Sequence, residues 1–318
     1  MAMAYNDINA IAVRTPLDIE CCLPADLLTK GLNSISADSV DIEVSEGNVT
    51  IVAGRSKLKL PYLPLDSFPL KMPKARDKKG TFPVKASILK GIEKCLSGVG
   101  TDPTHPSQMG ITLEPTKEGA VLYSTDNITI SRYVTDQDVT LPGDCPIILP
   151  TFFCTQLLSL AKAFPDEAVD VEIHPGTLVA RIGDQALLLT RGLIDDQPVD
   201  FERIIPRYLE GNDVQEISAQ IPDGFDSALS RALLVLEDNP DKATKMHVKR
   251  KQLRLFSASV RGEAADTLDF KFEDVEPFSI DPLLVSRASK LCTHIAFLPK
   301  VLVLSAGEFL HMIAHVAS

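Results

Sequence analysis

The feature that most restricts the fold of this 318-residue chain is an internal repeat. The stretch at 23–69 shares its pattern with the stretch at 149–206. Repetition at a fixed register indicates that one supersecondary unit is used several times along the chain, so it governs the prediction of the fold. The matching positions keep a constant spacing, as Val40, Gly47 and Gly54 recur as Val169, Gly176 and Gly183.

Followed along the whole chain, the pattern predicts five copies of one unit. Each copy consists of a short strand, an amphipathic helix of about three turns and three further strands. In the first copy the leading strand is predicted at 19–23. Strands that follow one another through tight turns favour antiparallel sheet, so the predicted fold class is α+β. Residues 1–17 carry none of this pattern and form a lead-in from which the sequence predicts no element.

Composition limits the class of protein. Apolar residues make up 45% and charged residues 24% of the chain, which is ordinary for a globular protein. The apolar runs are much shorter than the roughly 20 residues of a membrane span, and the N-terminus does not resemble a signal peptide. The six cysteines include no C-x-x-C pair, so neither a zinc site nor a disulfide framework is indicated. We expect a soluble cytoplasmic protein that does not bind membranes.

The polar faces of the predicted helices carry the most informative charges. The chain has 43 acidic and 32 basic residues, a net charge of −11, yet these faces lean basic. A solvated helix face is the bland interpretation for any single helix, but five helices with the same bias favour a DNA-phosphate interface. The predicted DNA-binding residues are Lys30, Lys90, Lys94, Lys162, Arg231, Arg287 and Lys290.

Several segments resemble the DNA sliding clamps, the family of the bacterial β subunit of the replicative DNA polymerase. Residues 53–69, AGRSKLKLPYLPLDSFP, resemble the pattern that closes the first clamp domain. Residues 122–133, LYSTDNITISRY, resemble the family's "ATDGHRLA" strand, and 193–206, LIDDQPVDFERIIP, its "LIDGxFPDYxRVxP" connector. GEAADTLDF at 262–270 is similar to the "EEAEExLD" strand. The resemblance covers about residues 18–318.

The resemblance implies a ring of head-to-tail subunits, a dimer being favoured, with helices lining a hole for duplex DNA and sheets outside. It implies a partial first domain at 1–75, of which only the second half is present, and complete domains at 76–207 and 208–318. The family has six units per chain, so the first half of the first domain is either missing or compressed into 1–17. The implied partners are double-stranded DNA, a DNA polymerase and a clamp loader.

Two further surfaces are implied by the resemblance. One is a groove between the second and third domains that binds short peptide motifs of partners, an apolar lining with one arginine at its rim. For most of its residues taken singly, core packing is the competing interpretation. The groove residues are Thr125, Ile128, Ile130, Arg203, Ile204, Pro282, Val301, Met312, Ala314 and Val316. The other surface is the subunit interface, formed by Leu58 and Leu60 on one side and Leu234 and Val235 on the other.

Catalytic interpretations are weak. His311 and His315 have H-x-x-x-H spacing but lack the acidic residue of a zinc-protease motif. The chain contains no P-loop, and Gly98-Val99-Gly100 lacks the third glycine of a dinucleotide fingerprint. We therefore expect a non-enzymatic protein without a metal or cofactor. The alternative to a clamp is an adaptor or inhibitor that keeps the peptide groove but does not close a ring on DNA.

Overall fold

The computed structural model describes residues 1–17, 19–68, 70–237 and 243–316; Pro69, which ends the motif at 53–69, lies outside them. Its α-helices are α1 (Ala25–Asn33), α2 (Ala86–Cys95), α3 (Thr151–Ala163), α4 (Phe201–Leu209), α5 (Val214–Ile217), α6 (Phe225–Val235) and α7 (Pro282–Ser289). Its strands are β1 (Ala2–Tyr5), β2 (Asn9–Val13), β3 (Asp41–Ser45), β4 (Asn48–Ala53), β5 (Ser56–Pro61), β6 (Gly80–Pro83), β7 (Gly110–Thr116), β8 (Gly119–Thr125), β9 (Thr129–Thr135), β10 (Ile147–Pro150), β11 (Val169–His174), β12 (Thr177–Ile182), β13 (Ala186–Thr190), β14 (Ala219–Gln220), β15 (Thr244–Lys249), β16 (Gln252–Ser259), β17 (Gly262–Asp269), β18 (Val275–Ile280), β19 (His294–Phe297), β20 (Val301–Ala306) and β21 (Phe309–Ala314).

Four complete copies of the predicted unit interlock in two pairs. In each pair, the leading strand of one unit lies in the sheet of the other unit. Thus β6 pairs with β11 while β10 pairs with β7, and β18 pairs with β15 while β14 pairs with β19, all antiparallel. The predicted α+β fold class is confirmed. The exchange makes units two and three, and units four and five, mutually dependent; the domain boundaries near 75 and 207 stay predictions.

Sheets also continue from one pair of units to the next. The eight-stranded sheet runs β10-β7-β8-β9-β21-β20-β19-β14, so the second and fifth units share it. Their junction is the antiparallel pair β9 and β21, in which Ile130 lies opposite Met312. In this way the last strands of two units meet edge to edge, and no strand edge is left open at the junction.

The N-terminal residues contain a hairpin that the sequence did not predict. The strands β1 and β2 form this hairpin, and β2 pairs with β13. The hairpin extends the sheet of the third unit to six strands, in the order β1-β2-β13-β12-β11-β6. The pattern was missed because AMAY and NAIAV are short and lie in a stretch without a helix.

The predicted strand at 19–23 is also wrong. In this segment only Cys22 takes part in β-structure, through an isolated bridge to Leu63. The helix that follows is present as α1, and β3, β4 and β5 begin and end within one residue of the prediction. However, no residue of α1 is fully buried. A strand needs a neighbour for its backbone hydrogen bonds, and the sheet offers none at this place.

The four helices of the complete units lie side by side on one side of the sheets. The backbone oxygen of Leu291, just beyond α7, accepts a 2.7 Å hydrogen bond from Lys94 Nζ on α2. Asp226 on α6 accepts a 2.8 Å bond from Ser289 on α7, and α3 packs against α2. The order of the row is therefore α3, α2, α7 and α6, and it crosses from one pair of units to the other.

Apolar faces hold these helices to the sheets. In α2, Ile88, Ile92 and Cys95 are completely buried, at the spacing expected for one helix face. Gly91 permits the close approach, since a Cβ there would lie 2.7 Å from a ring carbon of Tyr133. Lys90 on α2 and Arg287 on α7 are exposed on the side of their helices that faces away from this core. No helix in the described part of the chain has the length and apolarity that crossing a membrane requires.

His311 provides a test of the packing at the shared sheet. Its ring is buried in β21 and its Nδ1 lies 2.8 Å from Ser131 Oγ. Burial lowers the pKa of His311 to about 4, against a smaller opposite effect of Asp126. The unfolded chain protonates this histidine below pH ~6.5, so acidification favours unfolding. We expect the free energy of unfolding to lose about 3 kcal/mol through His311 as the pH falls from 6.5 to 4.

Urea denaturation of the wild type and of His311→Asn at pH 7 and pH 5 measures this contribution. The variant is expected to be less stable at pH 7, because the bond to Ser131 changes, but to lose less stability on acidification. Equal losses for both proteins would mean that His311 is not held neutral by the fold.

Candidate functional site

An apolar groove of about 140 Å³ lies at the seam between the second and fifth units. Its floor comes from the shared sheet, with Thr125 on β8, Ile130 on β9, Val301 on β20 and Met312 on β21. Ile130 and Met312 are directly paired across the seam. The groove therefore exists only because two pairs of units meet there, and its position suits a short peptide with apolar side chains.

The second wall of the groove is α4, which was predicted as a connector without a helix. The Asp200 side chain caps this helix by accepting a 3.0 Å hydrogen bond from the Arg203 backbone N–H. Phe201 stacks on Tyr123 with ring centroids 4.6 Å apart and so fixes α4 to the sheet. Ile204 and Tyr208 then face the groove.

The sequence contained a signal for this wall. An Asp at the N-cap is followed by apolar residues at helical spacing, Phe201, Ile204, Ile205 and Tyr208. The prolines at 198 and 206 obscured it, although Pro206 is accommodated within α4. Sequence analysis therefore missed four lining residues, namely Asn127, Val199, Phe201 and Tyr208.

Most of the predicted groove residues do meet. The structure brings together Thr125, Ile128, Ile130, Ile204, Val301, Met312 and Ala314. Three predicted residues are not part of the lining. Arg203 is exposed on α4, Val316 belongs to a neighbouring depression beside His315, and Pro282 is buried at the start of α7. Pro282, which was assigned through the family resemblance, packs at the N-terminus of α7 and does not line this groove.

The predicted DNA-binding residues fall into two groups. Lys94 is half-buried, donates to Leu291 and lies 4.7 Å above the ring of Phe309; burial lowers its pKa. Lys162 pairs with Glu93 at 2.9 Å, and Arg231 pairs with Asp266 at 2.6 Å. These three side chains have partners within the chain, and their assignment to DNA binding stays a prediction.

The remaining basic residues are available for a ligand. Lys90 on α2, Arg287 on α7 and Lys290 just beyond α7 are exposed, as is Lys30 on α1. Within the described residues none of these four forms an ion pair. Lys90, Arg287 and Lys290 belong to the two central helices of the row, which lie next to each other. A phosphate backbone laid along the row would meet them first.

The predicted interface residues have different environments. Leu234 is exposed to 70% on α6, and Val235 follows it in a half-buried position. Leu60 is only 4% exposed within its own sheet, so its side chain belongs to the interior and that assignment is corrected. Leu58 packs so closely on α1 that a Cβ at Gly31 would collide with it.

The sequence is similar to known clamps. The "Beta sliding clamp" of Proteus mirabilis is 21% identical over 263 residues, which are 81% of this chain and 69% of that protein. The "Beta sliding clamp" of Caulobacter vibrioides (strain NA1000 / CB15N) is 24% identical over 255 residues, 76% of this chain and 65% of the relative. The chain thus spans about two thirds of the length of these curated relatives. No protein-family model matches the sequence.

Solved structures agree over nearly the whole chain. A sliding clamp from Bartonella birtlesii bound to griselimycin superposes with a TM-score of 0.83 at 21% identity, covering 99% of this chain and 88% of that one. The Pseudomonas aeruginosa sliding clamp with ligand gives 0.82 at 16% identity with the same coverage. A Helicobacter pylori beta clamp bound to a DNA ligase peptide gives 0.78 at 13% identity. At such identities the agreement establishes the fold.

Proposed function

We propose that this chain, which has the sliding-clamp fold, is a non-enzymatic DNA sliding clamp that works in the cytoplasm. It encircles duplex DNA, contacts phosphates without reading the sequence, and tethers a DNA polymerase through the apolar groove. The observation that carries this proposal is the row α3, α2, α7 and α6. Its two central helices carry Lys90, Arg287 and, just beyond α7, Lys290, which form no ion pair among the described residues, although the chain has a net charge of −11. The acidic excess elsewhere keeps DNA away from the outer surfaces.

The groove supports the proposed tether to a DNA polymerase. Most of its lining residues are apolar, it lies where the second and fifth units meet, and it is small enough to take one or two side chains rather than a whole domain. A clamp of the same fold is bound to a DNA ligase peptide. We infer that the polymerase and a clamp loader of this protein use short peptides with apolar anchors at the same place.

Ring closure is supported by the way strands meet at the junctions within the chain. The last strands of the second and fifth units, β9 and β21, pair with each other, and the last strand of the third unit, β13, pairs with β2, the second strand of the N-terminal hairpin. Within the described residues, β5 and β17 are the two last strands with a free outer edge. Pairing β5 of one copy with β17 of the next gives a head-to-tail oligomer, for which we favour a dimer. Leu234 and Val235 at the end of α6 are next to β17 and contribute to this contact.

Topological linkage to DNA tests the proposal. The labelled chain is incubated with a nicked circular plasmid, the clamp loader of its host and ATP, and is separated from free protein by gel filtration. We expect the chain to co-elute with the circular plasmid. Linearisation of the plasmid should reduce the amount of co-eluting protein at least about tenfold, because weak phosphate contacts allow the protein to slide off a free end. Retention on linear DNA equal to that on the circle would contradict encirclement.

A second function is favoured by one observation, the exposure of α1. Among the described residues no other helix pairs with α1, and none of its own residues is buried. An adaptor or inhibitor that binds clamp-motif peptides without closing a ring would not need this helix to be covered. The plasmid experiment separates the two functions, because an adaptor binds the peptide but is not retained on circular DNA.

A further inference from the structure

The groove at the seam between the second and fifth units has polar groups in an otherwise apolar lining. They belong to Thr125, Asn127 and Tyr208. The Thr125 hydroxyl is already engaged, since it donates a 2.6 Å hydrogen bond to the backbone oxygen of Thr129 and accepts one of 3.2 Å from the backbone N–H of Asn127. The Tyr208 hydroxyl can donate or accept, so it discriminates little between ligands. The Asn127 amide is the remaining group, and it is exposed.

The backbone around Asn127 holds this side chain at one place. Asn127 lies in the turn between β8 and β9 and has a φ of 72°, a left-handed conformation that Asn and Gly adopt readily. The neighbouring Asp126 closes the turn, because its Oδ1 accepts hydrogen bonds from the backbone N–H groups of Ile128 and Thr129 at 3.0 and 2.6 Å. The turn is therefore fixed without the Asn127 side chain, which remains available for another contact.

A buried glutamine fixes the orientation of the Asn127 amide. Gln108 Nε2 donates a 2.7 Å hydrogen bond to Asn127 Oδ1. Gln108 is only 8% exposed, and its own backbone is bonded on both sides, with its N–H donating to His105 at 3.0 Å and its oxygen accepting from Gly100 at 2.8 Å. With Oδ1 engaged, Asn127 presents the two N–H donors of Nδ2, for which the described residues provide no acceptor.

We propose that Asn127 determines which peptides the groove accepts, by donating a hydrogen bond from Nδ2 to a neutral acceptor that lies beside the apolar anchor of the partner. This role rests on the proposed binding of partner peptides to the groove and adds a polar selection to it. Gln108 is a positioning residue, because it contacts Asn127 and does not line the groove. An apolar pocket alone takes any anchor of suitable size, whereas a donor that must be satisfied rejects partners without an acceptor.

The charges around Asn127 favour a neutral acceptor over a carboxylate. Asp126 is adjacent, and Asp200 caps α4 at the second wall. Asp196 accepts a 3.1 Å hydrogen bond from the backbone N–H of Ser107. The lining itself contains no charged residue. A carboxylate of the peptide would lose part of its hydration without gaining a cation, and these aspartates would repel it. A carboxamide or another neutral carbonyl accepts the hydrogen bond without these penalties.

Peptides that differ at one residue test the proposal. Three fluorescent peptides with leucine and phenylalanine anchors carry asparagine, aspartate or leucine, which have nearly the same shape, next to the leucine anchor. The residue is placed before and after the anchor in turn. At one of the two places we expect the asparagine peptide to bind at least about fivefold more tightly than the leucine peptide, as for one net hydrogen bond. The aspartate peptide should bind no more tightly than the leucine peptide.

Asn127→Gly removes the donor and keeps the left-handed backbone without strain. The preference for asparagine over leucine should fall to within about twofold, while the affinity for the leucine peptide stays within about twofold of the wild type. Asp7→Gly is the matched control, because Asp7 has a φ of 71° in the turn between β1 and β2 and lies outside the lining. It should leave the preference unchanged. A preference that survives in Asn127→Gly would give Asn127 a purely structural role and overturn the proposal.

Gln108→Glu tests the positioning role. At pH 8 the carboxylate that replaces the donor accepts from Asn127 Nδ2 and turns Oδ1 toward the peptide. A peptide with aspartate β-methyl ester in place of asparagine offers an acceptor without an N–H. It should bind the wild type about as tightly as the asparagine peptide and lose at least about fivefold in the variant. The asparagine peptide should lose less, because its own amide can donate to Oδ1.

Equal losses for the ester and asparagine peptides would contradict the positioning role of Gln108. Thermal unfolding checks that Gln108→Glu is folded, and if it is not, Asn127→Gly decides the proposal alone. The outcomes also separate this proposal from the proposed function. Binding of none of the peptides to the wild type would overturn both. Binding without a preference for asparagine, or with a preference for aspartate, would overturn the selection by Asn127 and leave the groove as a purely apolar site.

Discussion

The triple variant K90E/R287E/K290E is expected to lose DNA retention while it keeps its fold. Each substitution reverses a charge on an exposed residue without an ion pair among the described residues, and Lys90 and Arg287 lie on the adjacent helices α2 and α7. Three phosphate contacts per subunit disappear, so the slope of log K against log salt should become shallower by about 2.7 for each subunit of the ring. The lifetime on circular DNA at 0.15 M salt should fall by at least about tenfold.

The matched control is K245E/K249E/R254E, which makes the same change in net charge. These three residues lie on the face of the four-stranded sheet that is opposite α6, because their neighbours Met246, Val248 and Leu253 face the core. Thermal unfolding of both variants should match the wild type, and only the first should lose DNA. An equal loss of DNA retention in both variants would mean that DNA binding depends on the overall charge of the protein rather than on the charges of the helix row.

Lys94 illustrates why the positions for this experiment could not be chosen from the sequence. Its place on the polar face of α2 is the same as that of Lys90, and spacing alone predicts equal exposure. Only the neighbouring unit decides that Lys94 reaches the backbone oxygen of Leu291 and the ring of Phe309. Lys94→Glu would place a carboxylate against that oxygen and would weaken the fold as well as DNA binding.

The helix and strands of each unit were predictable because they depend on residues that are close together in the sequence. Apolar residues repeat with the helix period in α2, and turn glycines such as Gly47 and Gly176 have positive φ between short strands. What spacing could not provide was the partner of each strand. The failure at 19–23 has this cause, since the residues have strand character but among the described residues only Cys22 finds a partner, the isolated bridge to Leu63. The hairpin at the N-terminus was missed because its strands gain stability only from β13.

The groove was partly predictable for the same reason. Ile130 and Met312 were found through motifs, but their direct pairing results from a junction that joins residues far apart in sequence. The α4 wall had a local signal in Asp200 and the spacing of Ile204 and Tyr208, which the two prolines concealed. Pro282 was assigned through the family resemblance, and a match in sequence position carries no information about which surface the residue faces in this chain.

Ile204→Asp is expected to abolish peptide binding and polymerase stimulation while DNA loading remains normal. Ile204 is half-buried on the wall of the groove and faces Met312 across it. A carboxylate there would have to lose its hydration when an apolar anchor of the peptide enters, and it would find no cation in the lining. The affinity for a fluorescent synthetic peptide with leucine and phenylalanine anchors should fall at least about 100-fold, as for a binding hot spot.

Val316→Asp is the matched control, because Val316 is exposed close to Ala314 but lines the neighbouring depression instead of the groove. It should leave peptide affinity within about twofold of the wild type, a difference far below that of a hot spot. Met312 is unsuitable for a charged substitution, since it is only 1% exposed and belongs to the core as well as to the floor. Normal peptide affinity in Ile204→Asp, or an equal loss in Val316→Asp, would place partner binding on another surface and would leave α4 with a purely structural role.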